Sequence, residues 1–285
     1  METNPTGRPD DLLIANRGGG ARGACRVQKL RWDTDFFGFP CGRIENLAAA
    51  GDNQARFSVA LDLARQALDW AETNRIRLLA VKIPGPDPLL VQALEAVGFY
   101  LTDNSLALAW SPPAPPTTAG LPPGFCLSDK NDQPDQDAAA FSQLFTDGRF
   151  HNDRRIPLDQ ADRLWRTAVL TQLRGEATQV LFLLNRGRPV GLTTVKTAAP
   201  PPAAPSTRTG CIFILGLHPE FRGRGLGRIL LTETLKRAQD RYDRLEVETS
   251  VYNQPAVGLY QKCGFIMTGV NVSLHFWSDG KENQA

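Results

Sequence analysis

The residues best suited to chemistry form a short, basic, glycine-rich segment in the last third of the chain. The segment reads Arg222-Gly223-Arg224-Gly225-Leu226-Gly227-Arg228. It follows an apolar run at 211–217 and precedes a helical pattern at 229–241. Glycines let the backbone approach phosphate oxygens, and free N–H groups at a helix start attract an anion. Arginine side chains add positive charge. Strand, basic turn and helix together predict a pyrophosphate site.

Other nucleotide-binding motifs fit this segment poorly. It is not a Walker loop, because no Gly-Lys-Ser/Thr follows it. It is a poor dinucleotide fingerprint, because no run of βαβ units surrounds it. A plain strand-to-helix turn is the remaining alternative. The residues downstream favour a ligand site, since an ordered series follows the next predicted strand: Asn253, Ala256, Tyr260 and Gly264-Phe265.

This series, over residues 210–269, resembles the core of the GNAT superfamily of acyl-CoA-dependent N-acyltransferases. The resemblance implies that Arg222, Gly225 and Gly227 hold the CoA pyrophosphate and that Asn253 contacts the pantetheine arm. It further implies that Tyr260 protonates the departing CoA thiolate. Acetyl-CoA or another acyl-CoA is then the co-substrate. The implied CoA contacts are Leu215, Leu217, Arg222, Gly223, Arg224, Gly225, Leu226, Gly227, Arg228, Asn253, Ala256 and Tyr260.

Acyl transfer to an amine requires a polarised carbonyl, a neutral amine and a proton for the leaving thiolate. The backbone N–H of Leu217 is our candidate for polarising the carbonyl. A tyrosine hydroxyl, with a pKa near 10, suits proton donation to a thiolate. Glu248 and His151 are candidate bases. The alternatives are a salt bridge from Glu248 to Arg241 or Arg244, a structural histidine, or water in place of a base.

A narrower resemblance concerns the acceptor. The segment Trp32-Asp33-Thr34-Asp35-Phe36-Phe37-Gly38 resembles the opening of the TDP-fucosamine acetyltransferase group, which has a partial N-terminal GNAT-like domain. That resemblance implies a nucleotide-linked amino sugar as acceptor, with contacts from Phe37, Arg149, Phe150 and Arg154. Aromatic packing and solvated arginines explain the same residues equally well. The acceptor alternatives are an amino acid, a peptide lysine or a natural-product amine, and a non-catalytic CoA-binding regulatory module is a third class.

Composition limits the remaining possibilities. The chain has 285 residues, 42% of them hydrophobic and 22% charged, with a net charge of +2. These values are typical of a globular protein and give no reason to expect nucleic acid or a membrane as partner. Five scattered cysteines and three histidines predict reduced thiols, no metal and a cytoplasmic location. We expect a small-molecule amine as partner, and a monomer or homodimer.

The resemblance to the GNAT superfamily implies an α/β fold of the GNAT type, with a mixed, mostly antiparallel sheet flanked by helices. The predicted regions are a disordered N-terminus (1–24), a degenerate GNAT-like domain (25–110), a proline-rich linker (111–123), a catalytic GNAT domain (124–278) and a flexible C-terminus (279–285). The predicted strands are 26–32, 42–46, 77–83, 99–110, 125–128, 179–184, 190–197, 211–217, 245–250 and 265–277. The predicted helices are 54–74, 88–97, 135–145, 158–173 and 229–241.

An internal repeat supports the degenerate domain. When Gly98-Phe99 is aligned with Gly264-Phe265, Asp87 falls on Asn253 and Leu94 falls on Tyr260. Both segments read strand, loop, helix, Gly-Phe, strand. The first copy has no basic glycine-rich turn and no tyrosine at the acid position, so we expect it to bind no CoA. Chance similarity between two short βαβ units is the alternative.

Overall fold

The computed structural model describes residues 11–18, 21–85, 87–111, 120–129, 132–201 and 203–278. These residues divide into two compact units, one formed by 1–104 with 270–285 and the other by 105–269. Most of the predicted linker, the first ten residues and the predicted flexible C-terminus lie outside the described residues. The predicted domain boundaries therefore stay predictions.

The first half of the chain alternates strands and helices. Its elements are β1 (Asp11–Gly18), β2 (Ala21–Lys29), α1 (Arg31–Phe37), β3 (Cys41–Ala50), α2 (Asn53–Thr73), β4 (Leu78–Pro84), α3 (Pro88–Glu95) and β5 (Tyr100–Trp110). The second half begins with β6 (Phe125–Ser128), α4 (Pro134–Ser142) and α5 (Leu158–Thr171), and a π-helical turn follows at Gln172–Glu176. It continues with β7 (Gln179–Asn185), β8 (Arg188–Ala198), β9 (Thr209–Leu217), a 3-10 turn (Pro219–Phe221), α6 (Leu226–Ala238), β10 (Arg244–Ser250), α7 (Gln254–Lys262) and β11 (Ile266–Trp277).

Each unit has a mixed, mostly antiparallel sheet, as predicted. In the first unit the strand order is β1-β2-β3-β4-β11, and only β3 and β4 run parallel. Helices α2 and α3 cover one face of that sheet, where Leu63 and Leu79 lie in the core. In the second unit the order is β5-β10-β9-β8-β7-β6, and only β9 and β10 run parallel.

Helices cover both faces of the second unit's sheet. Leu231 and Leu235 of α6 pack with Leu245 and Val247 of β10 on one face. Residues of α4 and α5 pack with Phe182 and Ile214 on another part of the sheet, in a separate apolar cluster. Ile212 of β9 lies in the first cluster and Ile214 in the second, and the pairing of β8 with β9 shifts register between these two residues.

The N-terminal region differs from the predicted disorder. Strand β1 pairs antiparallel with β2, so residues 11–18 and 21–25 are strands although the sequence predicts disorder up to residue 24. Cys25 and Val27 of β2 are buried in the core. A Cβ at Gly23 would lie 2.8 Å from Val59 and 2.9 Å from Leu63 of α2. Glycine here permits close packing against a helix, whereas in the sequence it suggests flexibility.

The aromatic segment near residue 32 also differs from the prediction. The predicted strand 26–32 ends at Lys29, and Arg31–Phe37 form helix α1. Gly38 ends that helix in the left-handed conformation, at φ 74°, and its N–H bonds the Thr34 carbonyl oxygen. A glycine at this position is a common helix stop. The aromatic side chains therefore lie on a short helix rather than at a strand end.

The two repeat segments have the same local structure. Asp87 and Asn253 each begin a helix, and the side chain of each accepts a backbone N–H of the first turn. The N–H of Phe99 bonds the Leu94 carbonyl at 3.1 Å, and the N–H of Phe265 bonds the Tyr260 carbonyl at 3.0 Å. The intervening glycines, Gly98 and Gly264, have φ values of 96° and 88°. Sequence similarity between the segments thus corresponds to the same helix-ending geometry.

In each unit a central strand pairs with the last strand of the other half of the sequence. Strand β10 pairs antiparallel with β5, and β4 pairs antiparallel with β11. The two pairings have the same register. The repeat alignment sets Leu79 on Leu245 and Trp110 on Phe276, and Leu245 lies opposite Trp110 just as Leu79 lies opposite Phe276. The first unit is therefore built from two separate segments, 1–104 and 270–285, whereas the second is continuous over 105–269.

Candidate active site

The basic glycine-rich segment forms a turn between β9 and α6. Gly223 and Gly225 have φ values of 74° and 77°, in the left-handed region that favours glycine. A Cβ at either position would meet no atom within 4 Å, so the backbone conformation, not space, requires glycine there. Gly225 is the N-cap of α6 and supplies no side-chain cap. The first N–H groups of α6 are therefore suited to bind an anion.

Three exposed arginines surround this turn. The Nε of Arg222 donates a hydrogen bond of 3.0 Å to the carbonyl oxygen of Leu217. The guanidinium of Arg224 lies 5.7 Å from the centre of the Phe221 ring. Arg228 lies in the first turn of α6, which has no acidic residue. The turn thus combines an uncapped helix start with a concentration of positive charge, which fits a pyrophosphate.

The end of β9 presents main-chain polar groups on the side away from β8. The N–H of His218 bonds the Val190 carbonyl at 2.9 Å, so this pair is hydrogen-bonded and the next pair, Leu217 with Gly191, is not. The N–H and C=O of Leu217 therefore point away from β8, and those of Leu215 do so by the same alternation. On that side, pairing of β9 with β10 covers only residues 209–211 and 244–246.

Helix α7 carries Asn253 and Tyr260. The Oδ1 of Asn253 accepts the N–H of Ala256 at 3.3 Å and thereby caps the helix. Tyr260 is 4% exposed, and its ring centre lies 5.2 Å from that of Phe265. Burial raises the pKa of the Tyr260 hydroxyl above its usual value, and the neighbouring thiols of Cys211 and Cys263 raise it further. The hydroxyl is thus protonated at neutral pH and can act as a proton donor.

Glu248 lies on the face of β10 opposite α6. Its carboxylate accepts a hydrogen bond from the hydroxyl of Ser105, a residue of β5 that is 4% exposed. The two arginines considered as alternative partners of Glu248 bond other groups. Arg244 pairs with Glu246 at 2.7 Å, and Arg241 donates to the carbonyl oxygen of Thr178 at 3.1 Å. Nothing in the sequence around Glu248 indicates the serine, because it comes from a distant strand.

His151 lies in the loop between α4 and α5. Its Nε2 is 3.0 Å from Oδ1 of Asp162, and its side chain is 5% exposed. Its Nδ1 is buried and has no hydrogen-bond partner within the part of the chain that the structure describes. A base role for His151 would therefore require Nε2 to leave Asp162 or the buried Nδ1 to become accessible.

The predicted acceptor residues lie in different environments. The guanidinium of Arg149 lies 4.4 Å from the centre of the Phe150 ring, which is 8% exposed. Arg154 precedes Arg155, whose N–H bonds the buried carboxylate of Asp153. Phe37, in the first unit, packs edge-on against Phe36 at a centroid distance of 5.0 Å and is 7% exposed.

A groove of about 380 Å³ lies between α4 and α5. It is lined by Ala139, Ser142, Gln143, Thr146, Asp162, Arg163 and Arg166. These residues mix both charges with neutral polar groups, and Asp162 connects the groove to His151. The sequence did not indicate these residues, because they come from two helices that tertiary packing brings together.

Comparison with known proteins agrees with this geometry. Residues 139–265 match the model of the acetyltransferase (GNAT) family. The match includes β9, the basic turn, α6, β10 and α7. The matched segment lies within the second unit.

Two curated relatives carry acetyltransferase names. Mycothiol acetyltransferase of Cellulomonas flavigena is 27% identical over 162 residues, which cover 55% of this chain and 45% of the relative. An N-alpha-acetyltransferase of Sulfolobus acidocaldarius is 36% identical over 77 residues, which cover 26% of this chain and 45% of the relative. The matches thus span about half the length of these relatives.

Solved structures share the fold at low identity. A GCN5-related N-acetyltransferase from Sphaerobacter thermophilus aligns over 91% of this chain and 81% of its own, with a TM-score of 0.61 and 14% identity. A tandem GNAT protein from the clavulanic acid biosynthesis pathway aligns over 94% and 84%, with a TM-score of 0.58 and 18% identity. These alignments support the predicted GNAT fold.

Two further observations concern possible partners. Among the described residues, no helix combines the length and the apolar character needed to cross a membrane. In the same residues, no group of three or more His, Cys, Asp or Glu side chains is arranged to hold a metal ion.

Proposed function

We propose that this protein is an N-acyltransferase that moves an acetyl or other acyl group from CoA to a primary amine by direct attack. The observation that carries the proposal is the uncapped start of α6 beside the outward-facing main-chain groups of Leu217. A pyrophosphate fits the first feature, and a thioester carbonyl fits the second. The acyl-CoA supplies an activated acyl group, and the residues of this chain bind it and move the protons.

Binding of the donor rests on the turn and on α7. Arg222 and Arg224 offer charge beside the free N–H groups of Gly225, Leu226 and Gly227. The amide of Asn253 caps α7 through its oxygen, so its nitrogen is directed elsewhere and can donate to the pantetheine arm. Leu217 directs its N–H toward the same open side of β9, where it can polarise the thioester carbonyl.

The proton steps follow from Glu248 and Tyr260. The acceptor arrives as an ammonium and gives one proton to Glu248, directly or through water, which frees the nitrogen lone pair for attack. As the C–S bond breaks, the Tyr260 hydroxyl gives its proton to the thiolate. The tyrosinate then recovers a proton from the new amide nitrogen. The products are an amide and free CoA thiol, with one proton released to solvent.

We propose only one CoA site per chain, in the second unit. In the first half, α2 occupies the place that α6 has in the second half. The carboxylate of Asp52 accepts the N–H groups of Gln54 and Ala55 at 3.1 and 3.0 Å, so a side chain already fills the start of α2. Leu94 stands at the position of Tyr260, and Lys82 stands at that of Glu248. The first half is thus a degenerate GNAT-like copy with a supporting role.

The acceptor class rests on weaker observations. A nucleotide-linked amino sugar is our first candidate, because its diphosphate suits the arginines of the loop after α4, Arg149 and Arg154. The names of the relatives add mycothiol-related amines and protein α-amino groups as candidates. Amino acids, peptide lysines and natural-product amines complete the panel. A GNAT-like module that binds CoA without turnover is the third class.

The test is release of CoA thiol from acetyl-CoA in the presence of each amine class. Release with one class identifies the acceptor, and mass spectrometry of the product locates the acyl group. CoA binding without release for any amine would favour the non-catalytic module. Failure with every TDP-amino sugar, together with release from another amine, would remove the amino sugar and leave the acyltransferase proposal intact.

A further inference from the structure

We infer that Ser105 is a positioning residue for the acceptor side of the reaction, supplied to the active site by the first half of the sequence. The inference rests on the proposed function, in which Glu248 receives the acceptor's proton. The hydroxyl of Ser105 donates a hydrogen bond to Oε1 of Glu248 and thereby fixes one oxygen of the carboxylate.

The strand register gives this contact its position. Ser105 lies directly opposite Ser250 in the antiparallel pair of β5 and β10, so its side chain reaches Glu248 diagonally on one face. On the other face, Leu108 and Val247 are buried against α6. The serine and the carboxylate are therefore together on the face opposite α6.

Glu248 lies just beyond the point at which β9 and β10 cease to pair. The last paired residues are Cys211 and Glu246, and Glu248 follows two residues later on the same face of β10. Beyond Cys211, the strand β9 leads to Leu215 and Leu217, whose N–H groups point away from β8. A carboxylate beside this opening is suited to take a proton from an amine that approaches a thioester there.

Burial makes the serine a fixed rather than a mobile partner. Ser105 is 4% exposed, whereas Glu248 is exposed. An exposed carboxylate on a strand samples several rotamers, and a hydrogen bond from a buried hydroxyl selects one of them. In the first unit, the position equivalent to Ser105 is held by Asn271, which lies opposite Pro84. The position equivalent to Glu248 is held by Lys82. The serine and carboxylate pair is thus a feature of the second unit.

The pairing of β5 with β10 makes the second unit depend on a strand from the first half of the sequence. Strand β5 precedes the proline-rich stretch and belongs by sequence to the half that carries no basic turn. It nevertheless pairs with β10 over residues 105–110. The catalytic unit is incomplete without this strand, both as a sheet and as the source of the Ser105 hydroxyl.

The test is a double-mutant cycle in the full chain, with the amine identified in the thiol-release panel. We expect Ser105→Ala to lower kcat roughly tenfold, since a hydrogen bond to a charged group is lost, with little change in KM for acetyl-CoA. We expect Ser105→Thr, which keeps the hydroxyl, to recover most of the rate. In a Glu248→Gln background, Ser105→Ala should cause little further loss, because its effect passes through the carboxylate.

Ser273→Ala is the matched control, since Ser273 is 5% exposed and also lies in an antiparallel strand. It should leave kcat unchanged. A Ser105→Ala rate equal to that of the unsubstituted protein would overturn the inference, as would an equal loss with and without Glu248. If the unsubstituted protein releases no thiol with any amine, the proposed function itself fails, and this inference fails with it.

Discussion

The side chain of Arg222 is bonded to the main chain of Leu217, with Nε of the arginine 3.0 Å from the carbonyl oxygen. This bond joins the end of β9 to the turn that begins α6. It orients the guanidinium, whose remaining N–H groups can then face an anion. The same carbonyl belongs to the residue whose N–H is the proposed donor to the thioester. Arg222 therefore links phosphate binding to the position of the reacting group.

Replacing Arg222 tests this link. The Arg222→Ala variant should bind acetyl-CoA about ten- to a hundredfold more weakly, because a charged hydrogen-bonding group is lost. Arg222→Gln keeps a donor near Leu217 but not the charge, and we expect an intermediate affinity. Isothermal titration calorimetry with acetyl-CoA measures both. Unchanged affinity in the alanine variant would separate Arg222 from the donor site.

The last two glycines of the turn, Gly225 and Gly227, should differ in their tolerance of alanine. Gly225 has a φ of 77°, so Gly225→Ala strains the backbone by about 1 kcal/mol or more and should weaken CoA binding. At Gly227, an added Cβ would lie 3.5 Å from Leu217 and Leu259, at ordinary contact distance. Gly227→Ala should therefore retain binding within a fewfold. The paired comparison is made by titration with acetyl-CoA and by thermal denaturation.

Removal of the Tyr260 hydroxyl should affect turnover more than binding. We expect Tyr260→Phe to lower kcat by more than about tenfold, within the range of general acid catalysis, with KM for acetyl-CoA largely kept. The control is Tyr252→Phe, since Tyr252 is 72% exposed and should be silent. Because burial raises the pKa of Tyr260, its ionisation should cause no loss of rate up to pH 10. Wild-type turnover in the phenylalanine variant would exclude the acid role.

Asp52 should stabilise the first unit without creating a ligand site. As the N-cap of α2, its replacement in Asp52→Ala should cost about 1 kcal/mol of unfolding free energy. Asp52→Asn keeps the cap and should be close to neutral. Chemical denaturation measures both variants.

Calorimetry of the unsubstituted protein should give one acetyl-CoA per chain, and two equivalents would contradict the proposed inactivity of the first half.

The thiols should react at very different rates. Cys126 is exposed, whereas Cys25 is buried and its pKa is raised by burial to about 12. Under native conditions at pH 8, alkylation should label Cys126 first and leave Cys25 unmodified, as peptide mass spectrometry will reveal.

Because the unfolded thiol releases its proton near pH 9, the contribution of Cys25 to stability should be full below that pH. It should decline as the pH rises from 9 to about 12.

The local parts of the fold follow from short sequence patterns. The left-handed conformations of Gly223 and Gly225, the cap at Asn253 and the glycine stop at Gly264 all depend on neighbours within a few residues. Such features are set by sterics and by local hydrogen bonds, so the sequence indicates them directly. The GNAT fold was predicted from the family resemblance of this series of residues, and the family match and the solved structures support it.

Other features depend on contacts between distant segments. The close packing of Gly23 against α2 turns an apparently flexible region into strands, and its composition alone suggests the opposite. The roles assigned to Tyr260, Glu248 and the acceptor arginines stay predictions. Their environments, however, depend on tertiary packing, since the burial that raises the pKa of Tyr260 comes from several elements.

The sequence by itself determined that the chain carries a basic turn, a capped helix and a tyrosine at fixed spacing, because each is a local pattern read along one strand or helix. Only the tertiary structure decided that β5 pairs with β10 and β11 with β4. It alone brought Ser105 to Glu248. The reason is physical: a strand satisfies its main-chain hydrogen bonds with whichever neighbour has a matching register and face, and distance along the chain does not limit that choice.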